Sequence, residues 1–197
     1  MAWISAPRIA VTGAAGLVLS AWAAIAVAWP ALAQRPPPAS PTLEHTSQSG
    51  ASGLPLPRFV SLKSDRVNLR QGPGTDYPTA WIYSRAGLPV EVIEEYESWR
   101  KVRDAEGTTG WILSSLLSGR RTALVLPWEL KSGAAAPQVT LRKNDSDRAG
   151  AVAMVEAGVI ADVQKCDGTW CYVTIDSFRG YLEQAKLWGV YQREHIK

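Results

Sequence analysis

From residue 58 to the end of the chain, short runs of apolar and β-branched residues alternate with polar ones and are broken by Gly, Pro, Asn and Asp, while helical periodicity is poor. This pattern predicts short strands at Arg66–Arg70, Ala80–Tyr83, Pro89–Tyr96, Trp99–Asp104 and Thr109–Leu113. Within Val90-Glu91-Val92-Ile93 the alternation sets Val90 and Val92 on the core side and Glu91 toward solvent. Gln71-Gly72-Pro73-Gly74-Thr75-Asp76-Tyr77-Pro78 carries two glycines and two prolines and predicts an irregular loop. Glu97-Ser98 and Ala105-Glu106-Gly107 read as hairpin turns, and Ser114–Leu117 as a single helical turn.

The same pattern occurs twice. Val67-Asn68-Leu69-Arg70 returns as Val139-Thr140-Leu141-Arg142. Gly87, Trp99 and Val102 return as Gly158, Trp170 and Val173, and Gly110-Trp111-Ile112 as Gly180-Tyr181-Leu182. The spacing shortens by one residue at each loop, as expected of a tandem duplication of one small unit.

Everything before the repeats has a different character. Arg8 is followed by an apolar stretch from Ile9 to Trp29 and then Ala31-Leu32-Ala33, the marks of a secretory signal over residues 1–33. An uncleaved membrane anchor is the other reading of this stretch. Residues 34–57, with Arg35-Pro36-Pro37-Pro38 and Leu54-Pro55-Leu56-Pro57, read as a disordered proline-rich spacer. Without Arg8, 20 of the 21 basic residues remain against 18 acidic ones. That balance, with no basic run longer than Arg120-Arg121, argues against a nucleic-acid partner. Export predicts a periplasmic or secreted protein whose contact with membrane is confined to the signal segment, if that is retained.

An exported chain meets an oxidising compartment, and its two cysteines, Cys166 and Cys171, flank the turn dipeptide Asp167-Gly168. Strands on either side of that turn bring the two cysteines opposite one another, so a structural disulfide is predicted. Two thiols at this spacing make neither a redox C-x-x-C motif nor a closed metal site, and no cofactor or metal is expected.

The remaining inventory predicts no enzyme. His45 falls in the spacer and His195 is third from the end. A nucleophile needs a base held about 3 Å away by a rigid scaffold. Glu94-Glu95, or Asp145 with Asp147, supply paired carboxylates, but they read as solvated strand-edge and turn charges. A binding module needs only a groove with aromatic and polar groups. In the first unit the candidates are Asn68, Arg70, Asp76, Tyr77, Tyr83, Trp99 and Trp111, with Tyr77 and Tyr83 foremost and Arg70 as a partner for a ligand carboxylate. Each has a structural alternative: Trp99 and Trp111 recur as Trp170 and Tyr181, as packing positions would, and Arg70 recurs as Arg142. Between the units, Gly119–Trp128 is too apolar for a free linker; it predicts an added strand with Trp128 packed between the barrels, so that their shared cleft is a second candidate site.

Val67-Asn68-Leu69-Arg70-Gln71-Gly72-Pro73-Gly74, followed by Trp99-x-Lys101-Val102 and Gly110-Trp111-Ile112, resembles the signature of bacterial SH3 domains. The second unit resembles a diverged copy in which Lys143-Asn144-Asp145-Ser146-Asp147 replaces the Gly-Pro-Gly loop. The resemblance covers residues 60 to about 190 and implies an all-β chain of two tandem SH3-like barrels packed together. The expected organisation is a first barrel at 58–122, a connector at 123–136, a second barrel at 137–192 and a tail at 193–197. The resemblance also implies recognition of cell-envelope material, peptidoglycan peptides first. A protein-interaction adaptor or accessory subunit in the envelope is the alternative. The sequence leaves oligomeric state open.

Overall fold

A computed structural model describes residues 48–130 and 136–197. The signal segment, His45 and the spacer up to residue 47 lie outside the described residues. The strands are β1 (Gln48–Ser49), β2 (Pro55–Leu56), β3 (Arg58–Leu62), β4 (Val67–Arg70), β5 (Thr79–Tyr83), β6 (Pro89–Tyr96), β7 (Trp99–Arg103), β8 (Thr109–Leu113) and β9 (Leu117–Ser118). They continue with β10 (Thr122–Val125), β11 (Gln138–Arg142), β12 (Ala151–Glu156), β13 (Ile160–Asp167), β14 (Trp170–Ile175), β15 (Phe178–Glu183), β16 (Leu187–Trp188) and β17 (His195–Ile196). Single 3-10 turns follow β8, β10 and β15.

The first sheet runs β5-β4-β8-β7-β6-β3-β9 and the second β12-β11-β15-β14-β13-β10-β16, the same order displaced by seven strands. The duplication extends to the irregularities. One bulge leaves Ile93 unpaired between Val92 and Glu94, and its copy leaves Gln164 unpaired between Val163 and Lys165. A second interrupts β4 at Leu69/Arg70 and its copy β11 at Leu141/Arg142. Each barrel closes on its own core, Leu62, Val67, Leu69, Val92, Val102 and Ile112 in the first and Val125, Leu141, Val163, Val173, Leu182 and Leu187 in the second.

The boundaries differ from the sequence reading at three places. Thr122–Val125, split there between first barrel and connector, supplies the first strand of the second barrel, pairing with β13 and β16. The supposed tail supplies β17, which pairs Ile196 with Cys166 and His195 with Asp167. The last residues of the supposed spacer form the β1–β2 hairpin. It is fastened by the Ser52 amide and hydroxyl, which donate to Glu95 at 2.7 and 2.8 Å. Leu56 packs on the first core.

The two barrels dock directly. Phe59 on β3 meets the Trp188 ring edge-on at 5.1 Å and the Tyr191 ring at 4.7 Å. Thr122 Oγ1 donates to the Gly87 carbonyl at 2.7 Å, and Arg85 donates to the Gly158 carbonyl at 3.1 Å. Gly189, at φ +124°, passes so close that a Cβ there would lie 2.9 Å from Ala123 Cα and 3.2 Å from Pro89 Cβ, so no other residue fits. This docking overturns the solvent-facing assignment of Glu91, which is 4% exposed. Its carboxylate accepts from Arg103 Nε at 2.9 Å and from the Tyr191 hydroxyl at 3.0 Å. Burial first, and then the Glu91 charge, hold the Tyr191 hydroxyl far above the usual phenol range. Trp128, in contrast, is 54% exposed and does not fill the junction. The left-handed Leu126 (φ 42°) takes a core position and turns the chain into the Pro127–Glu129 turn.

Candidate ligand-binding site

One transverse row of residues crosses the same four strands in each barrel. In the first it reads Glu94 on β6, Lys101 on β7, Trp111 on β8 and Arg70 on β4. In the second it reads Lys165 on β13, Tyr172 on β14, Tyr181 on β15 and Arg142 on β11. The bulges set this register: one extra residue at Ile93 or Gln164 changes which side chains share a face.

The arginine at the end of each row holds the long loop beside it. Arg70 Nη1 donates to the Thr75 and Tyr77 carbonyls at 3.0 and 2.7 Å, and Arg142 Nη1 to the Ala149 carbonyl at 2.9 Å. Its recurrence therefore reflects loop bracing, carried in both barrels by Nη1. In the first barrel the row is internally neutralised. Lys101 Nζ lies 3.1 Å from Glu94 Oε2 and 5.8 Å from the Trp111 ring centroid. In the second barrel the cation has moved one strand across. Lys165 Nζ stands 5.7 Å from the Tyr172 ring and 5.8 Å from the Tyr181 ring, and the two rings are 5.1 Å apart. No carboxylate among the described residues forms an ion pair with it.

Around this row the second barrel has a groove of about 270 Å³, bounded by Trp170 and Asp145 as well as Lys165, Tyr172 and Tyr181. Trp170, Tyr172 and Tyr181 are half-buried there. Their first-barrel counterparts Trp99 and Trp111 are buried, although neither belongs to the core cluster. One end of the groove is fixed by Asp167, whose Oδ1 accepts from the Thr169 and Trp170 amides at 2.8 Å. Those two hydrogen bonds, led by the one from Trp170, hold its carboxyl below the usual range. The Cys166–Cys171 disulfide predicted from the spacing forms the adjoining wall, with a Cα separation of 4.1 Å. The groove thus combines aromatic faces, an unpaired ammonium and an exposed carboxylate at Asp145 within the reach of one small zwitterionic ligand.

The residues singled out from the sequence separate into two sets. Trp99, Trp111, Arg70, Asp76 and Tyr77 gather at the first row and its loop. Tyr77 is 48% exposed, its ring packed against Gly72, and Asp76 is exposed beside it. Asn68 sits half-buried on β4 opposite Ile82, away from the row. Tyr83 is not a groove residue. It belongs to the first core, and its hydroxyl donates to Asp104 at 2.9 Å, with burial and then the Asp104 charge raising its pKa far above the usual range. Glu95, read beforehand as a solvated charge, is a fully covered side chain that meets Arg58 at 2.6 Å and Arg100 at 3.1 Å. Lys165 and Tyr172 were missed. The available signal was the repeat itself, which sets Tyr172 and Tyr181 at the places of Lys101 and Trp111.

A family model described as bacterial SH3 domain matches residues 63–119 and 135–189. Among solved structures, the chain is similar to NlpC2 from Trichomonas vaginalis at a TM-score of 0.30 and 13% identity, covering 67% of this chain and 48% of that one. It is similar to NlpC1 from Trichomonas vaginalis at 0.30 and 14%, covering 74% and 50%. A NlpC/P60 family protein from Bacillus cereus ATCC 10987 aligns at 0.26 and 14%, covering 66% and 55%. The chain spans about half the length of these structures. Comparison with curated proteins found no match.

Proposed function

The chain belongs to the bacterial SH3 domain family, and from that premise we propose that it is an exported, non-catalytic module that binds cell-envelope material, with peptidoglycan peptides as its ligand. The observation that carries this reading is the second row, an unpaired Lys165 flanked by Tyr172 and Tyr181 in an open groove. Wall peptides present free carboxylates, amines and short aliphatic side chains. Lys165 supplies the partner for a carboxylate, Asp145 the partner for an ammonium group, and the tyrosine faces cover the aliphatic part. The signal-like segment, with Arg8, its apolar core and Ala31-Leu32-Ala33, supports export to where such peptides occur. A binding role is further supported by both thiols being tied in a disulfide rather than held ready for chemistry.

The test is a pull-down of the protein on purified insoluble peptidoglycan, with Lys165→Ala, Tyr181→Ala and, for the first barrel, Tyr77→Ala. Saturable binding that falls about tenfold in Lys165→Ala, with the fold intact by circular dichroism, supports the reading. Loss in Tyr77→Ala alone moves the site to the first loop. Retention no greater than that of a control protein overturns wall binding.

A further inference from the structure

The opposite end of the second sheet carries a different kind of site. β12 is its terminal strand, paired along one side with β11 and with no other described strand along the other. Beside it lies a cavity of about 260 Å³ whose apolar wall includes Leu141, Ala153, Val155, Ile175 and Phe178.

The cavity has a clear origin in the duplication. By register, Ala153 stands where the first barrel has Trp81, since each pairs with the equivalent core leucine. Val155 stands in place of Tyr83, and Ile175, the last residue of β14, stands in the place of Asp104, which follows β7. In the first barrel the Tyr83 hydroxyl donates to Asp104 and the pair fills this end. In the second barrel Val155 replaces the buried Tyr83 and the apolar Ile175 replaces Asp104, which leaves a hollow, while Ala153 takes the place of a Trp81 that is itself 59% exposed. Met154 at 56% and Phe178 at 50% exposure stand open at its mouth.

The rim is acidic. Glu156 and Asp176 border the same cavity, and both are exposed. Glu156 receives one long hydrogen bond of 3.4 Å from Gln138, and no described cation lies within ion-pair distance of either carboxylate. Open backbone groups, an apolar socket and two unpaired carboxylates are the parts needed to take up an extended chain.

We propose that β12 is a docking edge for an extended segment of a partner protein, in which one large apolar side chain enters the cavity and flanking lysine or arginine residues meet Glu156 and Asp176. The segment adds a strand to the second sheet. This site lies on other strands and other residues than the Lys165 groove, so either can exist without the other.

The probe is a fluorescently labelled heptapeptide, Lys-Val-Lys-Phe-Lys-Val-Lys, titrated against the full chain by anisotropy, alongside a version with glutamate in place of every lysine. The lysine peptide is expected to bind saturably, and the glutamate peptide about tenfold more weakly, the scale of one or two exposed ion pairs. Ala153→Trp, which restores the side chain of the first barrel, abolishes binding, whereas Tyr181→Ala in the other groove leaves it unchanged. Glu156→Lys, an exposed substitution that spares the packing, reverses the preference between the two peptides. Equal binding of both peptides overturns the proposal, as does an unchanged affinity in both Ala153→Trp and Glu156→Lys. A dimer in sedimentation velocity that Glu156→Lys disperses and the peptide does not compete away also overturns it, in favour of a second copy as the occupant.

Discussion

At one place the two barrels solve the same problem with different chemistry. Glu95 and Arg100 face each other across the β6–β7 hairpin, two pairs beyond Val92 and Val102. Cys166 and Cys171 occupy the same rung of β13–β14, two pairs beyond Val163 and Val173. The first barrel closes this rung with a covered carboxylate shared by Arg58, Arg100 and Ser52. The second closes it with a covalent bond. An ion network holds only while every member is present, and it recruits the β1–β2 hairpin into the fold. A disulfide needs no third residue, but it depends on an oxidising compartment.

The largest expected effect is at Glu95. Glu95→Ala leaves two arginines facing a covered position and frees the Ser52 hairpin, so a loss of about 3 kcal/mol is expected in urea unfolding. The pH dependence sharpens the point. Burial pushes the Glu95 carboxyl up, but hydrogen bonds from the Ser52 amide, Arg58 and the Ser52 hydroxyl, together with the Arg100 charge, outweigh it and bring the pKa from 4.5 down to about 2. A carboxyl lowered on folding adds stability that is full above pH 4.5 and is lost as the pH falls toward 2. Melting temperature followed between pH 5 and 2 should fall less steeply in Glu95→Gln than in the parent.

Next comes the disulfide. Reducing it, or replacing both cysteines with alanine, removes a small ring worth about 2 kcal/mol on chain-entropy grounds. Calorimetry with and without reductant should show the second barrel weakened; an unchanged scan means packing alone holds its hairpin. Tyr191→Phe removes one hydrogen bond to the buried Glu91 and is expected to cost about 1 kcal/mol, read as a shift in the urea midpoint. The smallest effect belongs to Glu94→Ala, which breaks an exposed pair worth less than about 1 kcal/mol. Its interest lies in binding, because it frees Lys101 over Trp111 and makes the first row resemble the second. Peptidoglycan retention should then rise.

The five strands β4 to β8 were legible as β-branched and aromatic runs set between turn residues, with alternation surviving in β4 and in the second half of β6. β3 and β10 were harder for a specific reason. Their outward residues Phe59, Ser61, Thr122 and Leu124 are buried as well, because they lie where one barrel meets the other. Strands covered on both faces lose their alternation. Glu91 was misassigned for the same cause, since its local pattern is that of a solvent residue and only the partner barrel buries it. The row in the second barrel escaped notice because its register depends on the bulge at Gln164, which no periodicity marks. The sequence also drew attention to the Gly-Pro-Gly loop of the first barrel, where Arg70 turns out to be occupied with the loop itself.

Only Gly119, Arg120 and Arg121 separate β9 from β10, and this sets where the chain can be divided. A fragment beginning at residue 137 contains every strand that the repeat pattern marks, yet it lacks β10, the shared neighbour of β13 and β16. It would carry two raw strand edges beside a core missing Ala123 and Val125, the surfaces from which aggregation starts. A fragment beginning at residue 120 keeps that seam closed. The second barrel is therefore heritable and separable as a unit only together with a piece of sequence that looks like the end of the first.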